Sequence, residues 1–333
     1  MKGLRIHEKR LLRQLLDTTD PWQIAGHARL DFPRFVGTVK GLERKGLLTL
    51  GRGSLALTSQ GRTAVRASGL RSARSLAARV SRAKREFARI AKQRPSSIGI
   101  YDQGYMTLDS LFRRVDLIAT MGDADLKRIA ILGDDDLLSI ALCLAARPEK
   151  VSVFEIDQRI VDFILKTASE REFPIEAECY DLKKPLPSRL KGTFDTFVSD
   201  PSETMAGLKM FLGRGLYLLA AGEARAGYFG LTMIEASARK WSRIQKWLLN
   251  GYSVALTHIL PRNAYYFNWP DLLRQTAGFS LKCLDKRPEK SWFNSSLIRI
   301  ETVKGYRPKQ MGRITGSIFH DSEASGKPVK GQR

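Results

Sequence analysis

The chain has 333 residues, enough for two compact domains, and its 43% hydrophobic content fills ordinary cores, which excludes a wholly disordered protein. No run approaches the length of a membrane helix, and the opening MKGLRIHEKRLL scatters charge where a signal peptide is apolar, so a cytoplasmic protein without a membrane partner is expected. The net charge of +22 is uneven: residues 1–95 hold 22 Lys and Arg against 6 acids, residues 302–333 hold 7 against 2, and residues 96–301 hold 27 against 26, so any nucleic-acid contact belongs to the ends.

Apolar residues at helical spacing (Leu4, Ile6, Leu11, Leu12, Leu15, Leu16) predict a first helix over 4–17. Pro21–Arg29 reads as a second helix and 32–45 as a third, with Gly46 where a left-handed cap sits. Two short apolar runs flank the turn Gly51-Arg52-Gly53, and another helix starts at Ser59. Residues 1–69 thus follow the winged helix-turn-helix pattern, which suits DNA binding through the third helix or a packing and dimerisation role. Residues 70–95, rich in Ala and Arg, read as a basic linker helix ended by Pro95.

From residue 96 strands and helices alternate, as in a parallel sheet with crossover helices. Strands are expected at 129–132, 151–156, 175–180, 194–199, 226–231, 252–259 and 296–303, the last two as a long antiparallel pair. Helices are expected near 136–146, 157–170, 203–219 and 237–249. The fold class is therefore α/β, a Rossmann-like class I transferase sheet over 96–304 behind an N-terminal winged helix-turn-helix domain. The tail 305–333 lacks periodic apolar residues and reads as basic and flexible. Cys143, Cys179 and Cys283 are widely spaced in apolar segments, which points to reduced core cysteines and no metal site.

The chemistry gathers at the strand ends. The first strand runs into Gly133-Asp134-Asp135-Asp136; the glycine permits close approach of a nucleoside, while three carboxylates repel a pyrophosphate and attract a cation. One aspartate would suffice to cap the following helix. Glu155, ending the second strand, can accept both hydroxyls of a ribose, with Asp157 beside it. Asp181, after the third strand, can accept from an adenine amino group. The fourth strand delivers Asp200-Pro201-Ser202-Glu203, where an amine-alkylating enzyme orients its acceptor nitrogen and takes its proton.

GDDDLLSIAL, EIDQRI, SDPSET, the GRG at 213–215, GYFG at 227–230, Glu235 with Lys240-Trp241, Asn268-Trp269 and the final Trp292 to Glu301 together resemble the branched-chain polyamine synthases of thermophiles. The resemblance covers about residues 96–303. It implies transfer of aminopropyl groups from decarboxylated S-adenosylmethionine, a co-substrate rather than a resident cofactor, to the secondary nitrogen of spermidine, twice, with release of 5′-methylthioadenosine. The carboxylates agree with it, since donor and acceptor are both cationic: Asp134, Asp135, Asp136, Asp200, Glu203 and Glu235 would collect them. Asp135 and Asp200 are the expected catalytic pair. The resemblance further assigns Tyr101-Asp102-Gln103 as a lid, with Gln103, Gly133, Asp134, Glu155, Asp157 and Asp181 toward the donor. Toward the polyamine it assigns Asp136, Glu203 and Glu235, with Tyr228 and Trp269 as aromatic faces. The family usually has two prolines after the loop aspartate; here Ser202 replaces the second. A homodimer is expected, and nucleic acid is a possible partner of the basic N-terminus. Two other readings stay open: an S-adenosylmethionine-dependent N-methyltransferase, and a DNA-binding sensor of polyamine or nucleoside.

Overall fold

The computed structural model describes residues 4–268, 288–319 and 321. The N-terminal unit comprises α1 (Ile6–Gln14), α2 (Pro21–His27), α3 (Phe32–Arg44), the antiparallel strands β1 (Leu48–Gly51) and β2 (Ser54–Leu57), and α4 (Ser59–Ala67). Asp20 caps α2, Asp31 caps α3 and Thr58 caps α4 through side-chain oxygens that accept from the first-turn N–H groups. Leu11, Leu12, Ile24, Val39, Leu42, Leu55 and Val65 form its separate core.

The rest is built on β3 (Arg128–Leu132), β4 (Lys150–Glu155), β5 (Ile175–Cys179), β6 (Thr196–Ser199), β7 (Ala226–Leu231), β8 (Val254–Tyr265) and β9 (Asn294–Thr302). Their order is β5-β4-β3-β6-β7-β9-β8. The first five run parallel, while β9 is antiparallel to both β7 and β8, as expected of the final pair. The result is an α/β fold on a mixed seven-stranded sheet.

Alternation along β3 explains the layers. Ile129 and Ile131 face one core with α5 (Ala73–Ile90), α6 (Leu108–Thr120), α7 (Leu138–Ala145) and α8 (Gln158–Arg171). Ala130 and Leu132 face the other, with α9 (Met205–Leu218) and α10 (Ala238–Gly251).

Four expectations are corrected here. The helix read as a linker, α5, buries Leu76, Val80, Ala83 and Phe87 and belongs to the first helical layer. Helix α6 was not foreseen. The tail is not loose up to residue 319: Tyr306 and Ile318 are buried in the second core, and Arg214 donates to the Leu182, Met311 and Gly312 carbonyls. Cys179 is exposed rather than in a core, Cys143 is half-buried, and Cys283 lies outside the described residues.

The N-terminal unit is fastened to the sheet by charge. Arg10 meets Glu301 of β9 at 2.5 Å, and Arg29 donates to the Met121 carbonyl at 2.8 Å. Glu301 in turn pairs with the buried Arg299, whose guanidinium is 2.9 Å from Asp123. Among the described residues no helix is long and apolar enough to cross a membrane.

Candidate active site

A cleft with about 1100 Å³ of empty space, counted to its open mouth, lies along the carboxyl ends of β3 to β7. Open parallel sheets bind ligands at this edge, where strand order reverses on either side of the first strand.

Strand β3 enters the cleft at Gly133, whose φ of +75° is costly for any residue with a side chain. The three aspartates that follow diverge. Asp134 turns back into its own helix: Leu138 N–H donates to it at 2.6 Å and Ser139 N–H at 3.2 Å, so it caps α7. Asp136 turns sideways and accepts from Met106 N–H at 2.7 Å, anchoring the segment before α6. Only Asp135 lines the cleft, where its Oδ2 accepts from Gly104 N–H at 3.2 Å. Successive residues in a tight turn point in different directions, which removes Asp134 from the donor wall and Asp136 from the substrate wall. Burial first, then Asp136, Glu155 and Asp200, push the Asp135 carboxyl well above the usual range.

Glu155 lines the cleft at the end of β4 and stitches two turns together. It accepts from Asp134 N–H at 2.7 Å and from Ile156 and Asp157 N–H at 2.9 Å each. Burial raises its carboxyl, and those three hydrogen bonds oppose the rise. Asp157, expected beside the donor, instead caps α8 and is outside the cleft wall. Burial pushes its carboxyl up, but hydrogen bonds from Arg159 and Gln103 outweigh this and hold it low. Gln103 does line the cleft, yet its amide is structural: it accepts from Ile98 N–H at 2.8 Å and donates to Asp157 at 2.9 Å. Asp181 lines the wall after β5 and accepts from Lys183 N–H at 2.9 Å.

On the other side of β3, β6 delivers Asp200. The Tyr266 hydroxyl donates to its Oδ2, and Arg114 Nη2 lies 3.4 Å from its Oδ1. Glu203 accepts from both the N–H and the hydroxyl of Thr232, at 2.6 and 2.7 Å. Burial dominates there, with Glu235 and Asp200 adding to it, and the carboxyl rises to about 8. Glu235 lines the same wall.

Asp102, read from the sequence only as part of a lid, has a left-handed backbone and faces this acidic side. Desolvation by the surrounding walls, then Glu235 and Asp200, raise its carboxyl to about 7. Asp102, Asp135, Asp200, Glu203 and Glu235 therefore surround one end of the cleft. Tyr180, Leu182, Met210 and Phe211 supply apolar surface elsewhere in it.

The C-terminal segment completes the wall with Ile318 and Phe319. The hydroxyls of Ser202 and Thr204 both donate to the Ile318 carbonyl, at 2.9 and 2.7 Å. Ser202, the departure from the family's second proline, thus fastens this segment, a bond proline cannot make. Lys240 donates to the Glu203 carbonyl and pairs with Asp321 at 2.9 Å, holding the segment's far end.

Tyr228 does not reach the cleft. It sits in mid-strand on β7, fully buried in the first core, with its hydroxyl donating to Asp123 at 2.5 Å and accepting from Arg299. The strand's alternation turns it onto the face of the first core, and its mid-strand position keeps it from the carboxyl edge. Trp269 lies outside the described residues. Arg114 and Tyr266 were missed from sequence, because each is far along the chain from the aspartate it holds.

Three comparisons with known proteins agree. The family profile described as branched-chain polyamine synthase A C-terminal domain matches residues 82–326. The N(4)-bis(aminopropyl)spermidine synthase of Methanocaldococcus jannaschii is 34% identical over 95% of this chain and 93% of its own length; that of Thermus thermophilus is 36% identical over 95% and 92%. The solved branched-chain polyamine synthase of Thermus thermophilus, in complex with N4-aminopropylspermidine and 5′-methylthioadenosine, superposes with a TM-score of 0.69 at 35% identity, covering 97% of this chain and 94% of that one. With a matched profile over most of its length, and relatives above 30% identity along nearly all of it, the chain belongs to the branched-chain polyamine synthase family.

Proposed function

We propose that the protein transfers aminopropyl groups from decarboxylated S-adenosylmethionine to the central nitrogen of spermidine, forming N4-bis(aminopropyl)spermidine and 5′-methylthioadenosine. The observation that carries this is the ring of five carboxylates at one end of a cleft that has apolar walls elsewhere. The donor brings a sulfonium and an ammonium, and the acceptor is a polycation. Each enters a site where burial, and then repulsion from neighbouring acids, raises the carboxyls of Asp102, Asp135 and Glu203, a repulsion that a bound cation relieves.

In this reading the nucleoside lies toward Glu155 and Asp181, on the β4–β5 side of β3. The amine lies toward Asp200, Glu203, Glu235 and Asp102, on the β6–β7 side. The nitrogen lone pair attacks the methylene next to sulfur in line with the breaking carbon–sulfur bond. The bonding pair passes to sulfur, which leaves as a neutral thioether. In the first transfer a secondary amine becomes tertiary and must release a proton; Asp135 and Asp200 hold the nitrogen, and one of them takes it. In the second, a tertiary amine becomes quaternary and no proton is left to remove. Carboxylates that both orient and neutralise serve either step.

The N-terminal unit we read as a winged helix-turn-helix, with Lys40 and Arg44 exposed on α3. Its partners on this reading are a second copy of the chain or duplex nucleic acid. Light scattering and the salt dependence of duplex binding would separate these.

Incubation with spermidine and either decarboxylated or intact S-adenosylmethionine, followed by mass spectrometry, tests the main proposal. Gain of one and then two aminopropyl units, with 5′-methylthioadenosine, is expected from the decarboxylated donor alone. Gain of a methyl from the intact donor would replace this reading with N-methyl transfer.

A further inference from the structure

A second cavity lies between the N-terminal unit and the sheet domain, with about 1370 Å³ of empty space counted to its mouth. It shares no lining residue with the acidic cleft. Its walls come from α1, α2, the turn before α5 and that helix's start, the end of α6 and the loop from it to β3, and His258 of β8. Its charge is the reverse of the cleft's: Lys9, Arg10, Arg13, Arg29, Arg71 and Lys127 face two acids, Asp17 and Asp125.

Both acids are already engaged. Asp17 accepts from Ala73 N–H at 2.9 Å, fixing the start of α5. Asp125 pairs with Arg71 at 3.4 Å and accepts from Arg147 N–H at 2.7 Å. Lys9 and Lys127 enter from opposite units. Among the described residues neither ammonium takes part in a hydrogen bond or ion pair. Arg10 and Arg29 both pair with Glu301, yet buried donors at Arg10 Nε and Arg29 Nη1 have no hydrogen-bond partner. Burial, then Lys127, holds the Lys9 ammonium below its ordinary range. Burial, then Arg10 and Arg299, does the same to Arg29.

Cations so crowded repel one another, and burial weakens their hydration. A multivalent anion removes both costs at once. We propose that this cavity binds a small phosphate-bearing polyanion, an oligophosphate chain of about three phosphates, held between the Lys9 and Lys127 ammonium groups and the neighbouring guanidiniums. Spread cations match a chain of phosphates better than a single anion, and a nucleic-acid duplex is too wide to enter. The two sources of such a chain are free oligophosphate and the triphosphate of a nucleotide.

The test is calorimetric titration of the full-length protein with sodium tripolyphosphate and separately with ATP, at low and moderate salt. Saturable binding to wild type that weakens steeply with salt is expected, with at least tenfold loss in a Lys9→Gln/Lys127→Gln double variant. Arg62→Gln/Arg66→Gln, which neutralises two exposed arginines of α4 outside the cavity, should bind as wild type does. Equal binding of ATP and tripolyphosphate supports recognition of the triphosphate in either source; tripolyphosphate alone supports the free chain. As a readout without mutation, tripolyphosphate should shield Lys9 and Lys127 from acetylation, read by mass spectrometry. No binding by wild type, undiminished binding by the Lys9/Lys127 variant, or equal loss in the α4 variant would overturn the proposal. The lysine variant should keep wild-type aminopropyl transfer without added phosphate, since neither side chain reaches the acidic cleft.

Discussion

Asp200 Oδ1 occupies the space that a side chain at residue 230 would need: a Cβ built on Gly230 would lie 1.9 Å from that oxygen. The loop aspartate is pressed flat against β7, and only glycine leaves it room. Gly230→Ala should therefore turn the carboxylate out of place. We expect destabilisation of about 1–3 kcal/mol, as for overpacked sites. Aminopropyl transfer should fall about 100-fold, as misplacement by about an ångström does. Thermal melting and steady-state rates check this, and wild-type turnover in the variant would show that the contact does not position Asp200.

Tyr266 and Arg114 act on the same carboxylate from the opposite side. Arg114 is fully buried; burial alone would lower its pKa, but Asp200, Tyr266 and Asp136 outweigh that and keep it charged. Tyr266→Phe removes the hydrogen bond to Asp200, a charge-assisted contribution of about 1.5–3 kcal/mol, equivalent to a rate loss of roughly 10- to 100-fold, together with the contact to the Ser295 hydroxyl at 3.0 Å. A fall in kcat beyond what any loss of stability accounts for is the expected signature. A change in stability alone would leave Tyr266 a packing residue.

Proton linkage gives a signed expectation. The Glu203 carboxyl is raised to about 8 in the folded chain, from 4.5 for an ordinary glutamate. A raised carboxyl stabilises the fold below the unfolded pKa, and that contribution is lost as pH climbs through the folded value. Asp134, also raised to about 8 by burial, acts in the same direction. The ligand-free protein should thus melt at lower temperature as pH rises from about 5 to 9, and Glu203→Gln should flatten the slope. Saturating spermidine should flatten it too, because a bound cation favours the ionised form. A melting temperature that climbs across this window would contradict the assignment.

The C-terminal strap should matter to both stability and substrate. Arg214 is buried and spends its guanidinium on four backbone carbonyls, two of them in the strap. Arg214→Met should cost about 3 kcal/mol, by loss of charge-assisted hydrogen bonds, and raise the acceptor KM as Ile318 and Phe319 leave the wall. Partial proteolysis after residue 304, faster in the variant than in wild type, would report the released strap.

Much of this was legible because strand ends carry charge in a regular way. The seven strands and the turns bearing Asp135, Glu155, Asp181 and Asp200 stand where apolar runs break at acids. Direction within a turn was not legible: three adjacent aspartates look alike in sequence, yet one caps α7, one anchors residue 106 and one faces the cleft. Helix α6 escaped because two arginines interrupt its apolar run, and one of them, Arg114, is itself buried against Asp200. The strap escaped because carbonyl oxygens, which every residue has, hold it to Arg214 and Ser202. Tyr228 was misread because its place in the alternation of β7, rather than its residue type, decides which core it faces, and its mid-strand position keeps it from the cleft.

The central claim is that Asp200, held by Tyr266 and Arg114 among the cleft's carboxylates, aligns the acceptor nitrogen behind the carbon–sulfur bond. Single-turnover aminopropyl transfer by Asp200→Asn, measured beside its melting temperature and its affinity for 5′-methylthioadenosine, tests this most directly. A rate loss of about 100-fold or more is predicted, in the range of a lost general base, with melting temperature and nucleoside affinity close to wild type. Transfer at the wild-type rate would contradict the account.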